Sequence, residues 1–457
     1  MADAHQALID IVGAGDVLVG DGIGDDYLRD EALTSVPARP DFVVRPASTD
    51  EVAQLVAFAA DQGIAVTARG SGTGLSGGCV ADHGGILVSF ERMDQILEID
   101  TENHVAVVQP GVTLAQLDTA LAERDLAYTV YPGEYSASLG GNVATNAGGM
   151  RAVKYGVTRH QVLGLEAVLG TGEVIRTGGK YVKATTGYDL TQLIIGSEGT
   201  LALATEAILK LHPRIHHHAT VLAPYRTLDE VAASVPAIVN SGVGPVILEY
   251  IDLLSMAGIA AANSLDLGVP QEIKDTALAY LVVVLEQRTA ERLDEDVEEL
   301  ATQLHELGAL DVYVLPSGAG AALIEARERA FWAAKGNGAN DIIDMVVPRA
   351  QIPEYMTAVS EIAQRTGSLV AGCGHIGDGN VHLSVFQGDP DVRYDVMHSI
   401  FAAGMDLGGS ISGEHGVGTA KKKYFHELTD PTKVALMQRI KTAFDPAGIL
   451  NPGVLFD

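Results

Sequence analysis

Short apolar runs separated by polar, glycine-rich stretches set the pattern of this chain. His5 to Val12 has helical spacing, and Val43-Val44-Arg45-Pro46 reads as a strand. Ser48-Thr49-Asp50-Glu51 has the form of a capping box and predicts a helix through Asp61, stopped at Gly63. Ile64 to Ala68 returns as a strand, so residues 42–68 predict a β-α-β unit. Further strands are expected at 86–90, 96–99 and 105–108, and Thr113 caps a helix to about Arg124. Val162 to Leu169 and Glu173 to Thr177 flank Gly170-Thr171-Gly172 as a hairpin. A helix from Asp189 runs to Ile195, and Leu201 to Leu211 continues as a strand. Pro213 to His218 reads as a domain boundary. Beyond it, strands at 245–251, 278–286, 311–315, 341–347 and 368–374 alternate with helices at 253–261, 290–307, 320–335 and 352–365. Such alternation builds a sheet with helices on one or both faces. Thr429-Asp430-Pro431 opens a last helix to about Phe444, and Asp445 to Gly453 forms a rigid turn.

The glycines interrupt this pattern in clusters. Arg69-Gly70-Ser71-Gly72-Thr73-Gly74-Leu75-Ser76-Gly77-Gly78 follows a predicted strand. Without Cβ atoms such a backbone can turn several N–H groups onto one anion, and a pyrophosphate is the natural guest. Gly72, Gly74 and Gly77 satisfy GxGxxG, but that fingerprint must open a helix. Here Cys79 to Gly85 leads into another strand, so a Rossmann motif is rejected. There is no Gly-Lys-Ser/Thr, which excludes a P-loop. A flexible surface loop is the plain alternative. A second cluster runs from Pro132 to Gly149 and a third from Ile195 to Thr200. Three glycine loops, each next to a strand, imply one extended ligand touched at several points, such as FAD.

Composition narrows the setting. The chain has 457 residues and a net charge of −29, which argues against nucleic acid or an anionic membrane as partner. Two cysteines, Cys79 and Cys373, cannot build a metal-thiolate or disulfide framework. They suit a reducing cytoplasm, with a peripheral position at the membrane left open. No basic n-region opens the chain, and no apolar run reaches the roughly 18 residues of a membrane span.

Candidate chemistry lies in the second half. In His375-Ile376-Gly377-Asp378-Gly379-Asn380-Val381-His382, a four-residue hairpin turn would set Ile376 opposite Val381 and His375 opposite His382. Opposed residues share a sheet face, close enough for two imidazoles to meet on one ion. A pair of structural histidines is the alternative. Glu414, in Ser412-Gly413-Glu414-His415-Gly416-Val417-Gly418, would complete a two-histidine, one-carboxylate set, and His415 beside it could accept a proton. A solvated loop pair would leave both idle. Arg327 and Arg329 diverge on a helix by about 200°, so only one can face a cleft and clamp a carboxylate. His216-His217-His218 reads as solvated chain, because successive strand residues point to opposite faces.

Together these motifs resemble FAD-linked oxidoreductases of the vanillyl-alcohol oxidase and p-cresol methylhydroxylase (PCMH) superfamily. The nearest subgroup holds the glycolate oxidase flavin subunit and D-lactate dehydrogenase. The resemblance covers roughly residues 27–457. It implies an α+β fold: a PCMH-type FAD-binding domain of two small α/β subdomains, and a C-terminal α+β cap domain with an antiparallel sheet. The expected divisions are a helical segment at 1–36, the FAD-binding domain at 37–214, the cap at 215–425, and a segment at 426–457 that returns to the flavin. Arg69, Gly70, Ser71, Gly72, Thr73, Gly74, Leu75 and Ser76 match the pyrophosphate loop. Pro132, Gly133, Ser138, Gly140, Gly141, Asn142, Thr145, Gly148, Gly149, Tyr155, Gly156, Glu198, Gly199 and Asn451 match the other flavin contacts. His375, His382 and Glu414 fall on the metal ligands, His415 on the proposed base and Arg327 on a substrate-carboxylate arginine.

The implied activity is metal-assisted oxidation of a 2-hydroxy acid to the 2-oxo acid. Zn²⁺ is the first expectation for the ion, with Mn²⁺ or Fe²⁺ suited to the same ligands. Ser71 to Ser76 contains no histidine for a covalent flavin bond, so FAD is expected to be non-covalent. Where 2-hydroxyglutarate enzymes carry a lysine, this chain has Ile342, which favours lactate, glycolate or another monocarboxylate. Electrons must pass to an external acceptor: a quinone, a cytochrome, an electron-transfer flavoprotein or an iron–sulfur protein. A homodimer is left open. The rival readings are a D-2-hydroxyglutarate dehydrogenase, an O₂-using alcohol oxidase, a flavin-dependent transferase and a silent FAD-binding subunit.

Overall fold

The computed structural model describes residues 2–456. The chain divides into two compact units. One takes the chain up to Gly148, then Val157–Arg214, then Glu414 onward; the other takes Gly149–Gly156 and Ile215–Gly413. The boundary near Arg214 falls where the sequence turns from apolar strand to histidine run.

In the first unit a four-stranded sheet has the order Val17–Leu18, Phe42–Val44, Ile86–Ser89, Val66–Arg69. The β-α-β unit is present, with helix Thr49–Gln62 as its crossover, but Ile86–Ser89 inserts between its two strands and pairs parallel to both. All four residues of that inserted strand are buried, as a parallel strand covered on both faces requires. Ser48 Oγ caps the helix by accepting from Glu51 N. Glu51 reaches back one residue further than a capping box does, accepting from Ala47 N at 2.7 Å. Gly63 ends the helix in the left-handed conformation.

The second sheet of this unit is antiparallel, in the order Ile96–Asp100, Val105–Val108, Ala202–Lys210, Val162–Leu169, Val174–Gly178. The expected hairpin closes it at one edge. Among the elements that escaped the sequence is Leu139–Thr145, inside the second glycine cluster, a helix capped by Ser138. Gly140 and Gly141 hide it, since each glycine costs a helix about 1 kcal/mol relative to alanine. Packing overrides that cost. Leu139 and Val143 are buried, and a Cβ on Gly140 would collide with Pro110.

The second unit is built on a seven-stranded antiparallel sheet. Its order is Tyr313–Leu315, His217–Tyr225, Ala279–Gln287, Ile247–Asp252, Leu369–Gly374, Asn380–Phe386, Asp341–Val346. Leu222, Ile251 and Val282 pack with Met256, Ile259 and Leu323 from helices Leu253–Asn263 and Ser317–Glu328. Strand Ala279–Gln287 is buried along both faces up to Leu285, so helices cover the sheet on two sides. The strand His217–Tyr225 and helices Leu228–Asn240 and Pro390–Asp406 were not foreseen. His217 and His218 begin that strand exposed. The helix expected over 320–335 breaks at Arg329 into Ser317–Glu328 and Ala330–Gly336. Among the described residues, no helix is long and apolar enough to cross a membrane.

Candidate functional site

The glycine clusters of the first unit line one cavity. Gly72 and Gly77 turn the Arg69–Gly78 loop at positive φ, 75° and 76°. Gly70 leaves room for Ser138, whose Oγ accepts from Ser71 N at 3.3 Å and Gly141 N at 3.4 Å; a Cβ there would overlap that oxygen. Gly74 is roomier, with Asp30 Oδ2 3.6 Å from where its Cβ would lie. The third cluster is fixed by Glu198, whose buried carboxylate accepts from Val417 N at 2.8 Å and Gly418 N at 2.7 Å. Burial pushes the Glu198 carboxyl above the usual range, and these N–H groups only partly offset that. The C-terminal turn clips the loops together. Asn451 Nδ2 donates to Gly78 O at 2.9 Å and to Glu198 O at 2.6 Å, and Leu450 bridges to Val66.

The cavity holds about 1370 Å³ of space outside atoms, its open mouth included. Arg69 to Ser76, Pro132, Ser138, Gly140, Gly141, Asn142, Thr145, Glu198, Gly199 and Asn451 all line it, as do Glu414 and His415. Gly133 and Gly148 do not, while Gly149, Tyr155 and Gly156 belong to the other unit. There the Tyr155 hydroxyl bonds Glu286, and burial followed by that carboxylate raises its pKa. Arg69 lines the cavity, but its guanidinium is taken up by the carbonyls of Arg29 at 2.8 Å and Asp26 at 2.6 Å. It therefore fastens the loop and leaves anion binding to backbone. Asp30, Phe90, Pro110, Ile194 and Ala202 to Ala204 also line the cavity and were missed; residues scattered over loops, a helix and a strand carry no motif. Asn142 Nδ2 and Asp30 Oδ2 are buried in this lining without a hydrogen-bond partner. Buried polar atoms of that kind, among glycine backbone and small side chains, fit a large ligand carrying hydroxyls and phosphates.

In the second unit His375 and His382 come together, though not by the expected pairing. The ladder sets Cys373 opposite His382, two residues off. His375 lies beyond the strand end, in a longer turn where its carbonyl accepts from Asp378 N and Asn380 N. A shift of two residues keeps the sheet face, so the rings still meet diagonally, with centroids 4.8 Å apart. Glu249, fully buried, accepts from His375 Nδ1 at 2.5 Å and pairs with Arg327 Nη2 at 2.8 Å. Burial alone would raise the Glu249 carboxyl; His375 and Arg327 beside it outweigh that and hold it below the usual range. Of the two arginines, Arg327 is the buried one, and Arg329 is exposed and pairs with Glu325. Asp344, also fully buried, accepts from Asn380 Nδ2, Ser412 Oγ and Gly413 N, and lies 3.6 Å from His382 Nδ1.

Family comparisons agree with both units. Residues 40–178 match the FAD binding domain model, and residues 215–455 match the model of the FAD linked oxidases' C-terminal domain. The chain belongs to the FAD-linked oxidase family. It is 58% identical over 456 residues to an uncharacterized FAD-linked oxidoreductase of Mycobacterium tuberculosis, covering 100% of this chain and 99% of the relative. It is 36% identical to a D-lactate dehydrogenase of Anaerostipes hadrus, over 96% of this chain and 94% of that one. The crystal structure of p-cresol methylhydroxylase with substrate bound superposes with a TM-score of 0.78 at 18% identity, covering 100% of this chain and 97% of that one, which establishes the shared fold. As a member of the FAD-linked oxidase family, the chain is an FAD-linked oxidoreductase, and the cavity of its first unit is the fitting cradle for FAD.

Proposed function

We propose that this oxidoreductase converts a small 2-hydroxy monocarboxylate, D-lactate or glycolate in type, to the 2-oxo acid. The observation that carries the reading is the paired His375 and His382 beside a buried Arg327, all within one unit. Imidazole pairs are common ligands of Zn²⁺ and of Mn²⁺ or Fe²⁺ sites with open positions. Glu414 is the proposed third ligand. A divalent ion held there would polarise the substrate hydroxyl. Arg327 binds the substrate carboxylate through its planar fork, with Glu249 limiting how far the guanidinium can swing. His415 takes the hydroxyl proton on a ring nitrogen, a contribution typically worth ~10²–10⁴ in rate. FAD, when bound in the cradle without a covalent link, supplies the two-electron acceptor for the Cα hydrogen. Gly70, Gly72, Ser138 and Asn142 orient that cofactor, and Asn451 holds its loops together.

One feature supports a monocarboxylate. Ile342 is buried and brings no charge to a second carboxylate. An unpaired buried charge costs several kcal/mol. With two cysteines in the whole chain, no iron–sulfur cluster can be ligated by thiolates alone, so an external acceptor receives the electrons. The test is steady-state turnover with a dye acceptor across D- and L-lactate, glycolate and 2-hydroxyglutarate, before and after chelation. Formation of the 2-oxo acid from a monocarboxylate, lost with chelator and restored by Zn²⁺ or Mn²⁺, supports the reading. Preference for 2-hydroxyglutarate, or indifference to chelation, refutes the corresponding part.

A further inference from the structure

Glu249 is an unusual residue for its position. It lies in strand Ile247–Asp252 in the middle of the seven-stranded sheet, between Leu248 and Tyr250, with 0% exposure. A carboxylate this deep is costly unless it is paired. The pairing follows from the sheet. Tyr250 faces Gly374 and Ile251 faces Cys373, so the same register carried one step further sets Glu249 against His375. Oε1 meets His375 Nδ1 at 2.5 Å, while Oε2 meets Arg327 Nη2 at 2.8 Å. An ionised carboxylate only accepts hydrogen bonds, so the contact with Glu249 calls for a proton on His375 Nδ1, and a ligand role would fall to Nε2.

We infer that Glu249 is a positioning residue shared by two halves of the site, fixing the tautomer and ring plane of His375 for a divalent cation and fixing Arg327 for the substrate carboxylate. The inference rests on the proposed ligand role of His375. One carboxylate then couples metal affinity to substrate binding, although it touches neither. A carboxylate behind a ligating imidazole strengthens metal binding, and its loss typically weakens affinity about 10–100-fold. A buried ion pair kept only for structure behaves differently: loss of one partner lowers stability without a specific change in metal affinity.

The experiment uses the FAD-loaded protein, stripped of metal and titrated with Zn²⁺ against a chromophoric chelator. Glu249→Gln should bind Zn²⁺ about 10–100-fold more weakly than wild type. It should also raise KM for the 2-hydroxy acid, and the KM penalties of Glu249→Gln and Arg327→Ala should combine to less than their product. A folded Glu249→Gln protein with wild-type Zn²⁺ affinity overturns the inference, even if its melting temperature has dropped. Wild-type protein that binds no divalent ion refutes the ligand reading instead, so the two failures are separable. If Glu249→Gln does not fold, the wild type still decides. Its proton NMR spectrum should contain an exchange-protected imidazole N–H signal that His375→Ala removes. Absence of that signal from the wild type overturns the inference.

Discussion

Replacing Asn451 tests how the cradle is held together. Asn451 is 4% exposed, has φ of 46°, and gives both amide protons to carbonyls of other segments, Gly78 O and Glu198 O. Asn451→Ala removes both donors at once. Each buried carbonyl left without a partner costs about 1–3 kcal/mol. Alanine also tolerates the left-handed backbone worse than asparagine, by roughly 1 kcal/mol. The sum is about 3–7 kcal/mol, a large share of the ~5–15 kcal/mol that stabilises a typical protein. Asn451→Gly keeps the backbone conformation open and should recover about 1 kcal/mol of this. Urea unfolding followed by circular dichroism gives the stability difference, and recovery of flavin fluorescence gives FAD release. Both variants should release FAD at lower urea than wild type, alanine first. An Asn451→Ala protein within 0.5 kcal/mol of wild type and equally tight for FAD would refute the clip (~0.5 kcal/mol being the scatter of ordinary surface substitutions).

FAD should leave the polypeptide on acid or heat denaturation, because Ser71 to Ser76 offers no histidine for a covalent bond; colour retained by the precipitate would contradict this. Gly140→Val should destabilise the first unit by about 1–3 kcal/mol, the usual penalty of overpacking, and lower the bound flavin-to-protein ratio, since its Cβ collides with Pro110. Glu198 has a folded-state pKa above its unfolded value through burial, so the native state holds the extra proton. Its contribution to stability therefore falls as pH rises from the ordinary carboxylate range through the folded value. Glu198→Gln should flatten that part of the stability–pH curve, and an unchanged slope would count against it.

Much of this was legible in the chain because it was written in periodicity and in residues with one plausible use. The β-α-β unit, the 162–177 hairpin and the strand–helix alternation beyond residue 245 follow from apolar spacing and caps. Sheet order did not, since nothing local says that Ile86–Ser89 slips between two strands already joined by a helix. The helix at Leu139–Thr145 was hidden because its glycines serve packing against Pro110, which only tertiary structure reveals. His375 and His382 were found as a pair, but their register was not, because the turn is longer than four residues. A two-residue error spared the conclusion, where a one-residue error would have put the rings on opposite faces. Glu249 and Asp344 lie in apolar strands far from both histidines in sequence, and only cross-strand pairing identifies them as partners.

The central claim is most directly tested by anaerobic mixing of the purified, FAD-containing protein with single 2-hydroxy acids while the flavin absorbance band is followed. D-lactate or another small 2-hydroxy monocarboxylate should bleach the band and yield one equivalent of the 2-oxo acid. A fully loaded protein whose flavin stays oxidised with every monocarboxylate, or bleaches only with 2-hydroxyglutarate, would contradict it.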